Sequence, residues 1–217
     1  MNTTAIASRE TDEPRGLAKR LKAATHNQHD ALDKRIMGLD PFGSRARYAT
    51  FLKIQHDFHQ EIDPLYNHPG ISTFIADLSE RRRLDLIRQD IVDTGGTLSD
   101  IRHSGDLIAV PNAVGWLYVA EGSKLGAAFL LKGAEKLRLS ESFGARHLAA
   151  HIDGRGIHWR RFTAAIDAIP FTAADDARAI EGARQAFARV RFLVEKHFGT
   201  INHNERVAKV SPPPTAQ

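Results

Sequence analysis

The chain of 217 residues contains no cysteine. That removes disulfides, zinc-thiolate sites, iron–sulfur clusters and any thiolate-ligated iron, and it fits a reducing compartment, so a cytoplasmic location is expected. A long uninterrupted apolar run is missing too. The most apolar segment carries Glu121 and Lys124 in its middle, and no membrane span is expected. The N-terminus, MNTTAIASRETDEPRG, is polar and lacks the apolar stretch of a signal peptide. Aromatic residues make up 7% of the chain and do not alternate with basic ones, which argues against a nucleic-acid partner. Charge of one sign is also scarce. Thirty Lys and Arg against twenty-six Asp and Glu leave a formal +4, spread along the chain with one short run at Arg81-Arg82-Arg83. Such a field suits acidic small molecules or an acidic protein partner.

What is present reads as helix almost throughout. An apolar content of 42% in a chain of this length fills one core. After Pro14, Leu17, Leu21, Ala24, Ala31 and Leu32 line one helical face. Asp40-Pro41 breaks the pattern. Ser44 can cap a second helix bearing Tyr48, Phe51, Leu52, Phe58 and Ile62. Leu84, Ile87 and Ile91 mark a third, stopped by Gly95-Gly96. A loop-rich stretch, SESFGARHLAAHIDGRGIH, precedes a helix with Trp159, Phe162, Ile166 and Ile169. Thr172 and Asp175 have the form of a capping box and open a last helix through Ile180, Phe187, Val190, Val194 and Phe198. The expectation is one all-α domain of about seven helices over 14–201, with a flexible 1–13 and a disordered 202–217.

The segment after Pro111 is unusual. GWLYVAEGSKLGAAFLLKG, residues 115–133, has the apolar density of a buried helix yet four glycines. Together they forgo roughly 3–4 kcal/mol of helix propensity relative to alanine. At about 100° per residue, Gly115, Gly122, Gly126 and Gly133 lie within roughly 40° of one another, a single bare stripe. Either a second helix approaches closely, or a flat ligand lies against exposed backbone. The pair Gly122-Ser123, with Gly126 one turn on, is where such a helix can kink.

Eleven histidines raise the question of a metal. His26/His29 and His56/His59 stand three apart and His147/His151 four apart. The two Glu-x-x-His pairs of a diiron bundle are missing, as is His-Glu-x-x-His. His29 lies on the shoulder of its helix's apolar face, one turn from Leu32, while His26 lies about 60° further toward the polar side. A histidine on one helix and a glycine-bared second helix suit a planar iron macrocycle held between them.

With these residues in view, the chain resembles the bacterial biliverdin-producing heme oxygenases from about Leu17 to Phe198. The resemblance rests on four blocks in order: TxxxHDALD (25–33), PFGSRARYATFLKIQHDFH (41–59), GWLYVAEGSKLGAAFLLK (115–132) and GARHLAAHIDGRGIHW (144–159). It implies an all-helical bundle with heme between a proximal helix and a kinked distal one. By position it implies His29 as the iron ligand, Gly122, Ser123 and Gly126 at the distal kink, and Gln55, Phe58, His59 and Arg83 lining the distal pocket and ordering its waters. It also implies Lys22, Tyr118 and Lys132 near the heme propionates, with Lys124 a looser candidate and Phe187 a further heme contact. Val190 departs from relatives that carry an aromatic residue there.

The activity so implied is oxidative cleavage of heme to biliverdin, carbon monoxide and ferrous iron, with heme as both substrate and cofactor, consuming O2 and electrons from a ferredoxin or a flavoprotein. Lysine and tyrosine at positions 22 and 118 resemble the α-cleaving members, implying biliverdin IXα. A monomer is expected. The competing reading is a heme carrier or sensor without turnover.

Overall fold

A computed structural model describes residues 15–98 and 108–210, with 1–14, 99–107 and 211–217 outside the described residues. The expectations for 1–13 and for the end of the tail therefore fall outside them. Among the described residues there are seven α-helices, α1 (Leu17–Gly38), α2 (Arg45–Ile62), α3 (Pro69–Ser72), α4 (Leu84–Asp93), α5 (Val110–Glu135), α6 (Arg155–Asp167) and α7 (Ala173–Val210), with 3-10 turns at Asp63–Asn67, Ser79–Arg81 and Arg146–Leu148. None of them is long and apolar enough to cross a membrane.

Local signals place most helix ends. The Ser44 hydroxyl accepts from Arg47 N at 3.2 Å and caps α2. Thr172 and Asp175 form the reciprocal box, with Asp175 N donating to Thr172 Oγ1 at 3.2 Å and Thr172 N to Asp175 Oδ2 at 3.0 Å. Gly95 ends α4 at a φ of 78°, where a side chain would be strained.

Three boundaries or faces differ from expectation. The last helix continues to Val210, past position 202, and no glycine or proline stands between 202 and Ser211-Pro212. α6 begins at Arg155 rather than near Trp159, since Gly154 turns the chain at a φ of 86°. Ala31, expected on the buried face of α1, is exposed, and Thr25 is buried instead, its hydroxyl returned to Leu21 O at 2.7 Å. Leu21, Thr25 and Leu32 keep the helical spacing that Ala31 breaks by about 100°.

The main core joins α1, α2, α5, α6 and α7 around Leu21, Phe58, Ile62, Leu117, Phe162, Leu193 and Phe198. A second core, with Tyr48, Phe51, Ile87 and Leu148, sits beneath α2 and α4.

α5 and α7 meet backbone to backbone. A Cβ on Gly115 would collide with the Ala179 carbonyl oxygen and lie 2.6 Å from Ala183 N, and one on Gly182 would collide with Asn112 O. Gly133 has the ring of Phe42 in its place, 2.7 Å from where its Cβ would be. Gly122 faces only Trp159 at 3.6 Å, and Gly126 meets nothing within 4 Å.

The stripe thus divides in two, and stability measurements should divide it likewise. Gly115→Ala forces α5 off α7 and should cost about 1–3 kcal/mol or more. Gly126→Ala meets open space and should gain up to about 1 kcal/mol of helix propensity. Urea unfolding of the heme-free protein checks both signs.

Candidate active site

The open middle of α5 is apolar and exposed. Leu125 and Phe129, one turn apart around Gly126, expose 41% and 65% of their surface, an arrangement that a buried partner would normally cover. The Ser123 hydroxyl donates to Ala120 O at 2.7 Å, a local back-bond of the kind that bends helices.

His29 projects from α1 with its side chain 58% exposed and its ring edge-on to Phe187 of α7, centroids 6.1 Å apart. Both nearby carboxylates, Asp30 and Asp33, approach Nδ1 at 3.5 Å, and no described residue hydrogen-bonds to Nε2. His26 differs: its Nε2 already faces Asp30 at 3.5 Å. An imidazole oriented through Nδ1 with Nε2 free is the form that binds a metal. In this respect the two histidines of α1 differ: Nε2 faces a carboxylate at His26, and Nδ1 does so at His29.

Beside the bare stretch lies a cavity of about 40 Å³ lined by Gln55, His59, Arg83, Ser123, Lys124 and His147. It is large enough for ordered water and far too small for a porphyrin. Its walls come from α2, the start of α4, α5 and the 3-10 turn after Ser140, so four of the distal residues expected from sequence, Gln55, His59, Arg83 and Ser123, do converge. Phe58 backs this wall, buried and stacked on Trp116 at 6.0 Å.

Burial, with Lys124, His147 and Arg83 nearby, pushes the His59 imidazole well below the ordinary histidine value, so it is neutral. Its Nδ1 is buried without a protein partner. Arg83 reaches across to Ala149 O at 3.3 Å.

His147 did not stand out in the sequence beyond its spacing from His151. Its Nδ1 lies 2.7 Å from Asp90 Oδ2, and the same fully buried carboxylate accepts from the backbone N–H groups of Arg146 and His147 at 2.9 and 3.0 Å. One hydrogen bond holds the ring and two fix the backbone beside it, and the buried Nε2 is left without a protein partner. Nothing in a one-dimensional pattern links position 90 to 147.

Beneath the stripe, Arg81 is fully buried. It grips both oxygens of Asp77 at 2.8 Å and donates to Glu121 Oε2 at 3.0 Å. Tyr66 Oη donates to the other Glu121 oxygen at 2.9 Å.

Lys124, expected near the propionates, belongs to this cluster instead. Its Nζ donates to Glu121 Oε1 at 2.5 Å and to Arg81 O at 2.7 Å, and burial lowers its pKa to about 8 against the pull of Glu121. Among the described residues, Lys22 and Lys132 are exposed and form no ion pair. Tyr118 is half-buried against Trp159, centroids 5.4 Å apart, and burial raises its hydroxyl above the usual value, so it remains a donor.

A bare apolar strip, a free imidazole nitrogen on a facing element and a small polar cavity alongside fit heme. Comparison with known proteins agrees. Residues 15–196 match the heme oxygenase family model. The chain is 38% identical to heme oxygenase PigA of Pseudomonas aeruginosa over 184 residues, 83% of this chain and 92% of that protein. The heme oxygenase of Neisseria meningitidis, solved with NO and CO bound, is 42% identical with a TM-score of 0.82, covering 86% of this chain and 94% of that one. Heme oxygenase-1 from the cyanobacterium Synechocystis, solved with heme, is 17% identical with a TM-score of 0.69 over 89% of this chain and 97% of that one, a likeness of fold alone. With the family model spanning most of its length, the chain belongs to the heme oxygenase family, enzymes that degrade heme to biliverdin.

Proposed function

We propose that this heme oxygenase holds heme between α1 and the middle of α5, with His29 Nε2 on the iron and the backbone of Gly122 and Gly126 against the opposite face. The observation that carries this reading is the division of the glycine stripe. Its ends are filled by Ala179 and Phe42, while Gly126 is open and flanked by exposed Leu125 and Phe129. Heme brings the iron at which O2 is activated with external electrons, and the chemistry of ring opening is its own.

The protein's part is to orient and to deliver protons. A side chain at Gly126 would fill the space over the exposed stretch of α5, so its absence would let a flat macrocycle lie close to the backbone there. No acid side chain stands in the stripe itself. Neutral His59, the ring fixed by Asp90 at His147, Gln55 and Arg83 surround a water-sized space instead. They would hold water by hydrogen bonds beside a bound heme, and that water, rather than a side chain, would be the nearest source of protons. Phe187 supports the His29 ring from behind. Lys22, Lys132 and the Tyr118 hydroxyl remain for the propionates, and we assign the product as biliverdin IXα. Carbon monoxide and ferrous iron are the other products. The proposal extends to a cytoplasmic monomer that receives electrons from an acidic ferredoxin or a flavoprotein, supported by the excess of basic residues.

Three outcomes are expected. The heme complex of His29→Ala should lose the absorption and spin-resonance signature of axial histidine, while His26→Ala keeps it; the reverse assigns the ligand to His26. Gly126→Leu should slow biliverdin formation by roughly tenfold or more through misplacement at the reacting edge, without loss of folding stability. Chromatography of the product should give mainly the α isomer from the wild type and a shift toward β or δ from a Lys22→Ala, Tyr118→Phe double variant. A wild-type product dominated by β or δ rejects the regiochemical assignment.

A further inference from the structure

On the side of α5 facing α6 lies a second, smaller cavity lined by Arg83, Lys124, Arg155, His151 and His158 and by one carboxylate, Glu121, whose oxygens are taken up by Arg81, Tyr66 and Lys124. Its volume is about 10 Å³, room for one water-sized sphere. The charge around it does not balance. Arg81, next to the lining, is satisfied by Asp77 and Glu121, and Lys124 shares Glu121 with it. Arg83 and Arg155 have no carboxylate within ion-pair distance among the described residues. Their contacts are backbone carbonyls: both donate to Ala149 O, at 3.3 and 3.4 Å, and Arg155 also donates to Lys124 O at 3.2 Å and to Leu148 O. Glu141 acts on Arg155 only from beyond contact distance. Two guanidinium groups thus converge on one carbonyl oxygen beside a buried ammonium. Arg155 is also the first residue of α6, whose N-terminus has a glycine cap and no capping side chain, adding the positive end of a helix dipole.

We propose that this cavity binds one small inorganic anion, chloride being the probe of choice, held by Arg83, Lys124 and Arg155. With room for one water-sized sphere, the cavity takes a monatomic anion only as its flexible arginine and lysine side chains give by a few tenths of an ångström, and it excludes a sulfate. Burial strips the basic groups around it of water, and Glu121 offsets this only in part. Burial lowers Arg83 and Arg155. Burial takes Lys124 to about 8, with Arg83 adding to the effect, and burial takes His158 to about 4, with Arg81 adding to it. An anion among them relieves this repulsion and replaces the hydration the cations give up. Because Arg83 and Lys124 also line the distal water cavity, the ion holds them from behind and steadies that wall. The site depends on the charge arrangement alone and stands whether or not the regiochemical and ligand assignments above hold.

The test is chloride-35 NMR line broadening on the heme-free protein at fixed ionic strength, with gluconate as the bulky replacement anion. Wild type should broaden the line, bromide should reverse the effect, and Arg155→Gln should weaken binding by roughly tenfold or more while keeping donors for the backbone carbonyls. Crystals grown in bromide should show an anomalous peak between Arg83, Lys124 and Arg155. Equal broadening by Arg155→Gln, or bromide peaks found only elsewhere, overturns the proposal. If Arg155→Gln does not fold, the bromide peak in wild-type crystals decides.

Discussion

The contact on which this structure depends is the backbone-to-backbone crossing of α5 and α7. Gly115 admits the Ala179–Ala183 turn of α7, and Gly182 admits Asn112 of α5, so the two helices lie closer than any pair of side chains would allow. Further along, Gly133 rests on the ring of Phe42. Between these two seats the backbone is uncovered, Gly122 facing only Trp159 and Gly126 meeting nothing within 4 Å. Helix propensity given up at four positions is recovered by close packing at two of them.

What holds the open stretch from behind is electrostatic. Glu121 and Lys124 bracket Gly122-Ser123 and turn inward, to Arg81, Tyr66 and each other. A buried ion pair is costly to desolvate and stabilises only when its remaining hydrogen-bonding groups are met. Here Arg81 engages both Asp77 oxygens as well as Glu121, and it also lies over the face of Phe162, 5.5 Å from the ring centre. Such a cluster is poor at adding stability and good at specifying position. It sets the rotation of α5, and therefore which side of the helix shows its backbone.

Much of this was legible along the chain because the signals are local. Ser44, the Thr172–Asp175 box and Gly95 mark their helix ends through groups three or four residues away. The glycine stripe is a consequence of helical pitch. Its division is not, because the pitch of one helix says nothing about where a second helix crosses it. Gly182, the counterpart of Gly115, carries no mark in its own sequence neighbourhood. The same limit hid Asp90 behind His147. Lys124 stood near the propionates only through the resemblance, and nothing in its own neighbourhood shows that Glu121 and Arg81 close over it. Gln55, His59, Arg83 and Ser123 were placed together by resemblance to a family; periodicity alone could not bring four elements to one cavity.

A single short helix, α6, ties α1 to α5. α1 has no cap of its own: Gly16 precedes it, and the first-turn N–H of Ala18 is bound by Asp167 at the far end of α6, at 2.8 Å. α6 also supplies Trp159, which packs beside Gly122 and Tyr118. The first helix and the glycine-bared helix are therefore braced against the same short helix, at its two ends. A change at either end of α6 is felt by both, and α6 serves as the strut that keeps their spacing.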